Sequence, residues 1–225
     1  MTIAAVLWDF GGVLTTSPFD AFNRFEDEHD IPRNFIRGIN AVNSTTNAWA
    51  RFESSQINLD EFDRAFARES EAAGHYISGS EIVSLLAGDV RPRMVEVLKR
   101  CKAKYKVACI TNNVKAGEGP SMASCVDRAA AIREVMVLFE CVIESSREGI
   151  RKPDPEIYRL ACDRLGVSPT ESVYLDDLGI NLKPARALGM RTIKVVTEGQ
   201  TIADLEKILG FAFALNGISK AGADG

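Results

Sequence analysis

Asp9, Thr111, Lys152 and the pair Asp176-Asp177 are residue types that together suit phosphoryl transfer. A carboxylate can attack phosphorus and form an aspartyl phosphate. Mg²⁺ takes oxygen ligands, with one or two carboxylates completed by substrate phosphate and water. A lysine and a metal offset the charge of the phosphoryl group, and a hydroxyl with nearby backbone N–H groups binds its remaining oxygens. The set therefore points to a small phosphorylated substrate and to Mg²⁺. Taken singly, each residue has an ordinary reading. Asp9 or the acid pair can cap a turn, Thr111 can be a turn residue, and Lys152 before Pro153 can be a solvated loop lysine. Only convergence makes them a site.

The elements that must bring them together are legible as an alternation. Residues 3–8 form a short apolar run that stops at Asp9 and the glycines Gly11-Gly12, as a buried parallel strand does. Residues 107–110, 141–143, 173–175 and 192–196 read as further strands. Between them lie helices: one opened by Pro92 with Met94, Val97, Leu98 and Cys101 on one face; one through Val126, Ala130 and Arg133; one capped by Asp154, opened by Pro155 and closed by Gly166; one ending at Gly189; and a last one marked by Ile202, Leu205, Ile208 and Leu209. Strands alternating with helices predict an α/β fold, a Rossmann-like parallel sheet covered on both faces. Ligands of such sheets bind beyond the carboxyl ends of the strands. Asp9, Thr111 and Asp176 each follow a strand directly, and Lys152 lies in the loop after a fourth.

Residues 17–86 have a different character, rich in Phe, Asp, Glu, Arg and Asn and without a convincing strand. Phe19, Phe22 and Phe25 share a helix face, as do Leu59, Phe62 and Phe66, with Asp60 and Glu61 near a helix start. These aromatics read as the core of a helical insert. The expected organisation is a core of residues 1–16 and 88–225 with a small helical insert over 17–87. Asn112 to Pro120 reads as a polar loop, in which Gly117-Glu118-Gly119-Pro120 lacks dinucleotide-binding spacing. The tail from Gly217 reads as frayed. Arg147 and Arg151, flanking the lysine, read as solvent charges able to steer anions.

The net charge of −4 argues against a protein held to nucleic acid by phosphate neutralisation. It leaves room for a small anion, because local fields override net charge. The five cysteines, Cys101, Cys109, Cys125, Cys141 and Cys162, form no C-x-x-C pair, so no zinc cluster is expected, and their odd count suits reduced thiols. His29 and His75 are too few for a multi-histidine metal site. No basic leader precedes residues 3–8, and no apolar run reaches membrane-spanning length. A soluble, cytoplasmic protein without nucleic-acid or membrane partners is expected, as a monomer or a homodimer.

Four stretches in order resemble the phosphatases of the haloacid dehalogenase superfamily: Asp9-Phe10-Gly11-Gly12-Val13-Leu14, Ile110-Thr111-Asn112-Asn113, Arg151-Lys152-Pro153-Asp154-Pro155, and Tyr174-Leu175-Asp176-Asp177-Leu178-Gly179-Ile180-Asn181. The stretch Asn181-Leu182-Lys183-Pro184-Ala185-Arg186 is similar to the phosphatase-like N-terminal domain of soluble epoxide hydrolases. The first motif is similar to the related domain fused to some acyl-CoA dehydrogenases. Ending at Gly225, the chain is expected to hold no second, epoxide-hydrolysing domain. The resemblance implies that Asp9 is the nucleophile and a metal ligand, joined by the backbone carbonyl of Gly11 and by Asp177. It implies that Thr111 and Asn112 bind phosphoryl oxygens and that Lys152 neutralises nucleophile and phosphate. Asp176 and Asn181 are implied as supports, with the division of labour between the two acids left open, and the insert as a cap that selects substrate.

One position departs from the pattern. Phosphatases of the superfamily usually carry a second aspartate two residues after the nucleophile, which protonates the leaving alkoxide and later activates water. Here that position is Gly11. General acid–base help is worth about 10²–10⁴-fold. Its absence predicts a steep dependence of rate on leaving-group acidity, unless the insert or the substrate supplies the proton. It also keeps two alternatives in play: a phosphoryl-ligand-binding regulatory protein with little or no turnover, and a metal-free 2-haloacid dehalogenase. Against the dehalogenase stand Asp176-Asp177 and the lack of a bulky residue at position 11.

Overall fold

The computed structural model describes residues 2–86, 88–113 and 126–215. Most of the loop that includes Gly117-Glu118-Gly119-Pro120, Cys125 and the tail from Gly217 lie outside the described residues. Five parallel strands, β1 (Ala5–Trp8), β2 (Lys106–Thr111), β3 (Cys141–Glu144), β4 (Ser172–Asp176) and β5 (Arg191–Lys194), form one sheet in the order β3-β2-β1-β4-β5. Successive side chains of β1 point to opposite faces, and each face has its own core. Val6 and Trp8 pack with Met94, Val97, Leu98, Val173 and Leu205, whereas Ala5 and Leu7 pack with Ile110, Ile157, Tyr158 and Leu182. All four β1 residues are buried, which is why the strand reads as a continuous apolar run.

The helices over these faces are α6 (Pro92–Lys102), α7 (Val126–Met136), α8 (Ser145–Glu148), α9 (Pro155–Leu165), α10 (Gly179–Ala187) and α11 (Glu198–Leu209), numbered after five helices of the insert. Helix α9 has the expected ends: the Asp154 side chain accepts from the Glu156 N–H, Pro155 occupies the first turn, and Gly166 closes it at φ 62°. Two strands are shorter than expected. Ile3 is buried but precedes β1, and β5 ends at Lys194 instead of Val196. The reason in β5 is that it is an edge strand whose register with β4 runs out at Asp176↔Lys194. Val195 still donates to the Asp176 carbonyl, and Val196 then turns out to solvent.

Between β1 and α6 the chain forms α1 (Pro18–Glu28), α2 (Phe35–Ala41), α3 (Ala48–Glu53), α4 (Leu59–Ala72) and α5 (Gly79–Ser84). They share a separate core that includes Phe22, Ile36, Phe52, Phe62, Phe66 and Ile82. Helix α4 starts where its acidic residues suggest, with Asp60 and Glu61 in its first turn behind a capping box of Asn58 and Glu61. The chain leaves and re-enters the sheet side by side, with Thr16 N–H donating to Asp89 O and Arg91 N–H to Leu14 O, both at 2.8 Å. Cys101, Cys109 and Cys162 are buried and Cys141 is half-buried. Burial pushes the Cys101 thiol up to about 12, so these are packing residues rather than reactive ones. His29 stacks on Phe25 and His75 meets the edge of Phe35. Among the described residues no helix is long and apolar enough to cross a membrane.

Candidate active site

The central strand β1 delivers Asp9 to the carboxyl edge of the sheet, flanked by Thr111 at the end of β2 and Asp176 at the end of β4. Lys152, from the segment between α8 and α9, reaches between the two acids and is 1% exposed. Its Nζ lies 2.7 Å from Asp9 Oδ1 and 2.9 Å from Asp176 Oδ2. Residues far apart in sequence thus share one buried ionic centre, and the Lys152–Pro153 peptide bond beside it is cis.

The two neighbouring acids have different surroundings. Both oxygens of Asp176 are engaged: Oδ2 accepts from Tyr174 Oη, Lys152 Nζ and Asn181 Nδ2 (3.0 Å), and Oδ1 accepts from Leu178 N–H (2.7 Å) and Asn181 Nδ2 (3.1 Å). Tyr158 Oη in turn donates to the Asn181 carbonyl at 2.7 Å. Asp177 instead faces the Gly11-Gly12 turn. A Cβ on Gly12, whose φ is +72°, would lie 2.3 Å from Asp177 Oδ2, so only glycine permits this approach. Arg91 Nη1 fixes the same turn by donating to Gly12 O at 2.9 Å. A Cβ on Gly11 would meet nothing within 4 Å.

Asp9 Oδ1 takes both the Lys152 ammonium and the Phe10 N–H at 2.7 Å, leaving Oδ2 as the oxygen available to a ligand. Burial, and then the charges of Asp176 and Asp177, push the Asp9 carboxyl well above its ordinary value, although Lys152 opposes them. Burial and Asp176 likewise raise Asp177 to about 6. Burial acts to lower the Lys152 ammonium, but Asp176 and Asp9 outweigh it and hold it above its ordinary value. Oxygens of Asp9, Asp176 and Asp177 lie within 4.8 Å of one another. Three acids face one buried lysine, so the charge balance of the centre suits an added cation, and the donor set is the all-oxygen kind that Mg²⁺ takes.

Thr111 is buried beside this centre and lines the cavity above it. Asn112 lines the same cavity, and its side chain is engaged with the lysine's loop. Its Oδ1 accepts the Lys152 N–H at 2.8 Å and its Nδ2 donates to Lys152 O at 3.0 Å, so both ends fix the loop that carries the lysine. Arg147 is an exposed charge paired with Glu144. Arg151 is not a free solvent charge. It lines the cavity, its Nη2 lies 2.5 Å from Glu53 Oε2, and its Nη1 donates to Ser44 O at 2.9 Å. Sequence reasoning missed Glu53, which ends α3 and is 6% exposed. No local pattern marks it, because its charged partner Arg151 and its neighbour Asn112 come from loops about 100 and 60 residues away in the chain. Ser145 Oγ donates to Glu53 O at 2.9 Å and Ser55 Oγ to Ser146 O at 2.7 Å, joining α3 to the end of β3.

A cavity of about 360 Å³ opens over Asp9, Thr111, Lys152 and Asp177. Its outer wall comes from the helical insert, through Phe19, Phe22, Trp49 and Arg37, together with Leu86 and Ile180. Phe22 thus serves both the insert's core and the cavity wall, and Phe19 carries the Arg37 guanidinium over its ring at 4.4 Å.

A model of haloacid dehalogenase-like hydrolases matches residues 3–189. The chain is 36% identical to acyl-CoA dehydrogenase family member 10 of Mus musculus, over 94% of this chain and 20% of that protein. It is 31% identical to bifunctional epoxide hydrolase 2 of Mus musculus, over 95% of this chain and 40% of that protein. It therefore spans less than half the length of either. Phosphatase MT3486 of Mycobacterium tuberculosis is 30% identical, with 89% of this chain and 91% of that protein covered. Among solved structures, a HAD family enzyme of Bacteroides thetaiotaomicron in complex with magnesium and inorganic phosphate shares the fold, at TM-score 0.55 and 21% identity, over 87% of this chain and 96% of that one.

Proposed function

The chain belongs to the haloacid dehalogenase-like hydrolase family, and we propose that it is an Mg²⁺-dependent phosphohydrolase working through an aspartyl phosphate on Asp9. The observation that carries this reading is the Lys152 ammonium held at 2.7 and 2.9 Å between Asp9 and Asp176, with Asp9 lining the cavity. Asp9 Oδ2 attacks phosphorus, and water then hydrolyses the aspartyl phosphate. Lys152 offsets the charge of nucleophile and phosphoryl group, and the Thr111 hydroxyl binds a phosphoryl oxygen. Asp9, the Gly11 carbonyl and Asp177 hold the metal. Asp176, with Asn181, Tyr174 and the Leu178 N–H on its oxygens, positions Lys152 instead. When bound, Mg²⁺ supplies charge compensation for the transferring phosphoryl group.

Residues 17–87 act as a cap over a core of residues 1–16 and 88–225. The insert's apolar wall suits a phosphomonoester whose alcohol is small and largely apolar. A panel of phosphomonoesters with Mg²⁺ tests the reading, with apolar alcohols expected as the better substrates. Tight binding of inorganic phosphate with Mg²⁺ and no release from any ester would select the ligand-binding alternative. Halide release without metal would select the dehalogenase.

The metal assignment has its own test. Mg²⁺ that binds only the folded protein stabilises it by about 2.7 kcal/mol at 100 times Kd, or roughly 5–10 °C in Tm for a chain of this size. Asp177→Asn is expected to lose that shift in differential scanning calorimetry. Metal-free, the variant should melt no lower than the wild type, because one of three crowded acids is removed. A full Mg²⁺ shift in Asp177→Asn would remove Asp177 from the metal site.

A further inference from the structure

We propose that Glu53, carried to the cavity by helix α3, is the acid–base residue that serves in place of the side chain missing at position 11. The inference rests on the phosphohydrolase reading above. Six ionisable side chains among the described residues line the cavity: Asp9, Arg37, Glu53, Arg151, Lys152 and Asp177. Asp9 forms the covalent bond, and Asp177 belongs to the metal site. Guanidinium groups do not deprotonate in proteins, and Lys152 is held above its ordinary value by two acids. Neither histidine is on this wall. Among the described residues, Glu53 is the carboxylic acid that remains.

Its surroundings suit a group that changes protonation during the reaction. Burial pushes the Glu53 carboxyl above its ordinary value, while Arg151, the Trp49 indole N–H and Lys152 oppose that rise. The other polar neighbour is Asn112 Nδ2, at a long 3.4 Å. Arg151 is thus the main charge that opposes protonation of Glu53, and it lines the same cavity. A phosphate dianion entering the cavity competes for Arg151. As the guanidinium turns to the phosphate, Glu53 is left buried with less compensation and takes up a proton. Substrate binding therefore arms the acid.

The chemistry then balances. Asp9 Oδ2 bonds to phosphorus as the P–O bond to the alcohol breaks, and Glu53 gives its proton to the departing alkoxide. Glu53, now a carboxylate, takes a proton from the water whose oxygen attacks phosphorus. The bond from phosphorus to Asp9 breaks, hydrogen phosphate leaves, and Glu53 is again protonated.

Glu53→Gln, which keeps the side chain's shape, tests this with two esters and Mg²⁺. With an alkyl phosphate, whose leaving group needs a proton, the variant is expected to lose about 10²–10⁴-fold. With 2,4-dinitrophenyl phosphate, whose leaving group needs none, it is expected to give a full burst of one equivalent of phenolate and then slow turnover, because the second step still lacks its base. Placing Asp at position 11 of the same variant is expected to restore alkyl phosphate hydrolysis, since the space there is open. Wild-type rates on both esters would overturn the proposal, as would equal losses in the burst and the alkyl reaction, or no rescue by Gly11→Asp. Each of these leaves the phosphohydrolase reading standing. No phosphate release by the wild type from either ester removes that reading and the inference together.

Discussion

Asp9→Asn is expected to reduce Mg²⁺-dependent phosphate release by at least about 10⁴-fold, because a nucleophile that forms the covalent intermediate has no substitute in the step it performs. The same change should leave the protein folded, with a metal-free Tm within a few degrees of the wild type. Asparagine has the same shape, and its Oδ1 can still accept the Phe10 N–H and meet Lys152. Lys152 keeps a charged partner in Asp176 at 2.9 Å. The acid removed is one that burial and two neighbouring acids already hold well above its ordinary value, so its loss relieves repulsion. The informative result is the dissociation of the two measurements: rate lost by steady-state assay, stability retained by calorimetry. Substantial phosphate release by a well-folded Asp9→Asn protein would rule out attack by Asp9. Loss of both rate and fold would make Asp9 a structural residue and leave the chemistry unassigned.

The sheet and its ligand-binding edge were legible because each buried strand carries its own signal. Residues 5–8, 107–110 and 173–175 are apolar runs with both faces covered, and each ends in a polar residue where the sheet ends. Signals of this kind are local, and so are the ends of α9, where Asp154, Pro155 and Gly166 each act on the adjacent backbone. The ends of β5 were less legible. Their position depends on how far β4 extends beside it, which Val195 and Val196 do not record.

The candidate site divides along the same line. Asp9, Thr111 and Asp176 follow their strands, so topology alone gathers them. The burial of Arg151 does not follow from topology. It depends on Glu53, which reaches it from the helical insert, and on Ser44, which accepts its second N–H. Asn112 also sits next to Thr111 in sequence yet turns to the Lys152 backbone, because the Lys152 N–H and C=O are buried and need partners. Contacts between the insert and the sheet edge are the part of the site that the sequence pattern does not encode. They are also where the proton chemistry absent at Gly11 finds its candidate.

Lys152→Met is expected to be the most destabilising single change at this centre. It removes one ammonium that is 1% exposed and leaves Asp9 and Asp176 without their shared cation. Breaking a buried ion pair by removing one partner costs about 3–5 kcal/mol, and the methionine stem fills most of the same volume, so the loss is electrostatic rather than a cavity. The pH dependence follows from the acids left behind. Asp177 is raised from 3.8 to about 6 in the folded protein, and Asp9 is raised as well. A folded-state acid with a raised pKa binds protons more tightly than in the unfolded chain, so stability declines as pH rises from about 4 through 6. Without Lys152 both acids rise further, which widens that window upward. The difference between variant and wild type in urea unfolding should therefore be greatest near neutral pH and shrink at pH 5. Mg²⁺ should recover more stability in the variant than in the wild type, because a cation at Asp9 and Asp177 restores part of the missing charge. Recovery of fold should not bring recovery of rate, since Lys152 also faces the phosphoryl group. Equal stability of Lys152→Met and wild type in metal-free buffer at neutral pH would mean that Lys152 does not compensate the charge of the acids around it, and the charge argument for a cation at this centre would fail with it.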